Sequence, residues 1–197
     1  MFMKDFTRAV PAVTLVEPRL AATLPQSVCR GMVAGTLVET AQGWTEVQHL
    51  KIGQAVQTLD GGLARIHAID RRTLAPLPDF GMILIPGGCY DACSDLMLVP
   101  GQHILIDTLN DAPFALVPAA ALTLDPMVRP HFPQMPVEVV TLLFADEEIV
   151  FANSGVMIHC PGLMDGAGRY PDTSFFPRLD LPTAREVLRH RAARLAA

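Results

Sequence analysis

Cysteine is scarce: four residues (Cys29, Cys89, Cys93 and Cys160) in a chain of 197 are too few for a disulfide scaffold. Cys89 and Cys93 make a C-x3-C spacing with no second Cys or His pair behind it. No structural zinc is therefore expected, and the thiols read as free and partly buried. Charge is sparse as well. Asp, Glu, Lys and Arg make up 18% of the chain, with 15 basic against 20 acidic residues and a net charge of -5. Without a basic stripe interleaved with aromatics, nucleic acid is not an expected partner. Long apolar runs are missing too: 82–85 and 139–144 fall well short of the roughly 18 residues that read as a membrane span. Lys4 and Arg8 lie near the start, but Pro11, Glu17, Pro18 and Arg19 break up the stretch after them, leaving no apolar run of signal-peptide type. No cleavable signal is read, and the cytoplasm is the default compartment.

The residues that are present are apolar and broken into short pieces. Half of them are hydrophobic and the mean hydropathy is +0.32, which excludes wholesale disorder and calls for a packed core. Seventeen prolines and 14 glycines are spread along the chain, favouring many short elements over long helices. Residues 1–29 read as an extended arm, 30–165 as one domain, and 166–197 as an irregular tail ending in a helix. Strand-like runs at 36–40, 44–47, 55–59 and 63–69 are separated by Ala41-Gln42-Gly43, Lys51-Ile52-Gly53 and Asp60-Gly61-Gly62. Further runs lie at 82–85, 96–99, 103–106, 114–117, 137–144, 149–152 and 156–159, so turns at this spacing predict an all-β body. Thr183-Ala184-Arg185-Glu186 after Pro182 reads as a capping box. Ala184, Leu188, Ala192 and Leu195 would share the buried face of the helix. Its four arginines, against Glu186 alone, suit docking on the protein's own acidic body.

Three motifs occur in order. The first runs Gly31-Met32-Val33-Ala34-Gly35-Thr36, then Val47, Leu50-Lys51-Ile52-Gly53 and Val56-Gln57-Thr58-Leu59-Asp60-Gly61-Gly62. The second is Pro100-Gly101-Gln102-His103 within an apolar run. The third is Ala152-Asn153-Ser154-Gly155 leading to His159-Cys160. Together they resemble the Hint domain, the Hedgehog/intein autoprocessing module, in its bacterial stand-alone form. The resemblance implies a horseshoe-like all-β fold of long, bent antiparallel strands with a short C-terminal helix added. It also implies a chemistry: a Cys attacks the carbonyl before it in an N–S acyl shift, a His assists the departing nitrogen, and a Thr polarises the carbonyl.

The residues that would carry this chemistry are largely replaced. The family's nucleophile position falls on Gly31, the hydroxyl of its S/T-P-x-H motif on Pro100, and a further His on or beside Glu147. The intein-terminal Asn falls on Cys160. His103 and His159 keep their places, so Cys29, His103 and His159 are the candidate catalytic residues. Cys29 lies two positions early, about 6.6 Å along an extended strand, whereas attack needs atoms within about 3 to 3.5 Å. His159 and Cys160 are neighbours on a strand, hence on opposite faces, which argues against a cysteine protease. Asn153-Ser154 reads as a turn. The expectation is a Hint domain without self-cleavage, acting as a structural or interaction module with an unidentified protein partner. The alternative is an active domain in which Cys29 releases the N-terminal arm, its own partner in that case. No cofactor or metal is expected.

Overall fold

Strand boundaries in this chain follow its turn residues, as the computed structural model shows for residues 30–60, 62–76, 81–109, 113–163 and 174–196. Cys29 and the arm at 1–29 lie outside the described residues. β1 (Met32–Val33) is short and fully buried. β2 (Leu37–Thr40) and β3 (Gly43–Glu46) form the expected hairpin about Ala41-Gln42. β4 (Ala55–Thr58) pairs with β5 (Gly62–Arg65). The run read as one strand at 63–69 is two: β5 ends at Arg65, and β6 (Ala68–Leu74) leaves for the other sheet. Buried Ile66 marks the change of direction.

β7 (Met82–Ile85), β8 (Leu96–Leu98), β9 (His103–Asp107), β10 (Phe114–Pro118), β12 (Val137–Leu143), β13 (Glu148–Ala152) and β14 (Val156–Cys160) sit close to their expected places. β1 and β11 (Arg129–His131) had not been expected. Six strands form one antiparallel sheet in the order β11-β7-β8-β1-β12-β6. The second runs β10-β9-β14-β13-β2-β4-β5, with β3 beside β2. These are strands of two to seven residues in place of the long ones expected, yet the all-β antiparallel class holds.

The core between the elements includes Val38, Val56, Ile83, Leu98, Val117, Val140, Leu142 and Ile158, all fully buried. The C-terminal helix α1 (Leu181–Leu195) adds Ala184 and Leu188 to that core, whereas Leu195 is 63% exposed. The helix starts earlier than the capping box implied. Asp180 is the N-cap and accepts from the N–H of Thr183, with Pro182 in the first turn, where its missing N–H costs nothing. Among the described residues no helix is long and apolar enough to cross a membrane.

Candidate functional site

β1 lies between β8 and β12, so the chain at Arg30 and Gly31 enters beside the turn after β8 and beside the residues of β12. Gly31 has φ +127°, a conformation that side-chain-bearing residues avoid. A Cβ placed there would lie 2.5 Å from Val139 Cγ1, 2.9 Å from Thr141 Oγ1 and 3.2 Å from the Val140 carbonyl. Gly31 thus has neither a side chain nor space for one.

The peptide bond at this position is nevertheless held. The Gly31 N–H donates to Gln102 Oε1 at 2.7 Å, and the Thr141 hydroxyl donates to the Arg30 carbonyl at 3.3 Å. Gln102 is 3% exposed. Its amide also donates to the carbonyls of His103 at 2.9 Å and His159 at 2.8 Å. Flipping it would set an NH2 against the Gly31 N–H, so the network fixes its orientation. Gln102 therefore ties β1, β9 and β14 together at one point.

His103 opens β9 and His159 lies near the end of β14. The two imidazoles are close enough for His159 to disfavour protonation of His103. Burial first, then His159, Arg30 and Arg178, push the His103 pKa down to about 4. His159 is 3% exposed and is also lowered, by burial foremost and by Arg178, against the opposing pull of Glu147. Both are uncharged at neutral pH. Glu147, in the turn before β13, has Oε2 3.1 Å from His159 Nε2 and 3.1 Å from Arg178 Nη2. Its Oε1 accepts from the N–H of Phe175. Burial resists its ionisation, but its close contact with His159 and the hydrogen bond from Phe175 prevail and bring its pKa down to about 2.

His103, His159 and Gly31 therefore converge, around Gln102. Cys160 faces the other way, buried in the core, and burial pushes its thiol pKa up. No thiol–imidazole pair forms there. Asn153 and Ser154 are a left-handed turn between β13 and β14, with φ of 44° and 82°. The Asn153 side chain accepts from Leu37 N–H and donates to Ser94 Oγ and the Asp95 carbonyl, a structural tie. Sequence reasoning had missed Gln102, Thr141 and Arg178. Gln102 carried one signal, a polar residue opening an otherwise apolar run. Thr141 and Arg178 carried none.

The sequence model of the family described as "Hint domain" matches residues 30–157. No curated protein matches the chain. Among solved structures, a bacterial intein-like domain from Clostridium thermocellum is similar, with 15% identity and a TM-score of 0.49, covering 66% of this chain and 98% of that one. The gp41-1 intein has 11% identity and a TM-score of 0.41, covering 67% and 98%. The MchDnaB-1 intein has 17% identity and a TM-score of 0.39, covering 64% and 98%.

Proposed function

Because this chain belongs to the Hint domain family, its sequence model matching well over half of the residues, we propose that it grips the peptide bond at the reaction position without cutting it. It then serves as a structural or interaction module. The observation that carries this reading is Gly31: it offers no nucleophile, and Val139 Cγ1 stands 2.5 Å from where a Cβ would begin. An acyl shift needs a sulfur or oxygen on the residue after the carbonyl under attack, and the held carbonyl is that of Arg30.

What remains is a cradle of hydrogen bonds. Thr141 on the carbonyl would polarise it in an active relative, but with nothing to attack, the same contact fixes the chain entering β1. His103 and His159 have no proton to give at neutral pH beyond their ring N–H. Cys29 chemistry would act on the carbonyl of residue 28, two peptide bonds before the one the cradle holds.

Incubation of the full chain with hydroxylamine, which intercepts a thioester, tests the proposal. No hydroxamate and no shortened species are expected. Cleavage by hydroxylamine that Cys29→Ala abolishes would overturn it in favour of autoprocessing at the arm.

A further inference from the structure

The stretch matched by the family ends at residue 157, yet one of the closest contacts at the site comes from well beyond it. Segment 174–180 runs along the outer side of β10. Leu116 N–H donates to the Pro177 carbonyl and Leu179 N–H to the Leu116 carbonyl, each at 2.9 Å. Leu116 and Arg178 are thereby paired in parallel. Leu179 packs on the main core, and the guanidinium of Arg178 reaches Glu147 and His159.

Three atoms meet in a near-equilateral triangle. Arg178 Nη2 is 3.0 Å from His159 Nε2 and 3.1 Å from Glu147 Oε2, and the last two are 3.1 Å apart. Side-chain exposures are 15% for Arg178, 20% for Glu147 and 3% for His159, so water is a poor substitute partner. Nη2 has two hydrogens and no lone pair, and a guanidinium keeps its charge at every pH at which proteins fold. It serves both neighbours only when Nε2 is bare. A proton on Nε2 would suit Glu147 but would confront the guanidinium hydrogens. Among the described residues the other charged or titratable groups facing His159 are Arg30, which adds to the disfavour of a second proton, and His103.

We propose that Arg178 is a positioning residue that fixes the His159 proton on Nδ1, occupies the Nε2 lone pair, and straps segment 174–180 across the site as a built-in block. The strap withholds from any reaction the imidazole nitrogen that points at Glu147. This goes beyond the reading of Gly31, since it concerns a different bond and a different part of the chain.

Histidine 15N NMR of the full chain at neutral pH, with amide hydrogen exchange, tests the proposal. In the wild type, His159 Nε2 is expected to be unprotonated. In Arg178→Met the proton moves to Nε2 to serve Glu147, and exchange at the Leu116 and Leu179 amides accelerates at least tenfold. Arg178→Lys restores the bare nitrogen. A protonated Nε2 in the wild type, or a bare one in Arg178→Met, overturns the tautomer assignment; unchanged exchange overturns the strap. Should Arg178→Met fail to fold, the wild-type spectrum decides: a bare Nε2 supports the proposal and a protonated one overturns it.

Discussion

At Gly31 two requirements coincide, a left-handed backbone and a wall with no gap. Gly31→Ala would force a methyl within 2.5 Å of Val139 Cγ1 at φ +127°. Overpacking and backbone strain together should cost about 3 kcal/mol, measured by urea denaturation; a loss under about 1 kcal/mol would mean the wall yields. Gln102→Leu removes the partner of the buried Gly31 N–H and of the His159 carbonyl. Two such orphaned groups cost about 3 kcal/mol, and the same denaturation assay reads it. His103 sets a pH dependence whose sign follows from its lowered pKa. The unfolded chain takes up a proton below 6.5, while the folded one resists until about 4. Stability from this residue is therefore constant above 6.5 and lost as pH falls from there to 4, by at most about 3 kcal/mol. His103→Gln should flatten that window in a pH series of denaturation midpoints; an unchanged slope would assign the acid loss elsewhere. Gly31, His103, His159 and Glu147 were legible because motif order places them. Gln102 and Thr141 were not, since their bonds to Gly31 and Arg30 span 71 and 111 residues, and nothing local in the sequence encodes that approach.

Among the elements, hairpins with glycine-bearing turns were readable, while joints without a breaker were not. The alternation across 63–69 continues through Ile66-His67, where no Gly or Pro announces that β5 has ended and β6 has changed sheet. β11 is Arg-Pro-His, fully exposed; proline and polarity argue against a strand, and it survives only as an edge partner of β7. Helix α1 was readable from its apolar spacing, but its buried face is shorter than the period suggested: Leu181, Ala184 and Leu188 pack on the core, while Ala192 and Leu195 are exposed. Leu188→Ala should therefore cost about 2 to 4 kcal/mol, whereas Leu195→Ala, at a site 63% exposed, should be close to neutral. Equal losses from the two would place the helix differently.

Across the molecule, the two sheets carry Gly31, Gln102, Thr141 and His159 into one place from the residue before β1, the β8–β9 turn, β12 and β14. Under the function proposed above, this arrangement is a clasp for the protein's own backbone: the hydrogen bonds at Arg30 and Gly31 anchor the start of β1. The charge of the site is arranged to the same end: Glu147 is balanced by Arg178, and both imidazoles stay neutral. The most direct measurement is the intact mass of freshly purified full-length protein, tracked over a day at neutral pH with and without added thiol. A single, unchanging species of 21.3 kDa is expected under both conditions. A fragment beginning at Gly31, growing with time or thiol, would mean that the bond held by Gln102 and Thr141 is cut after all.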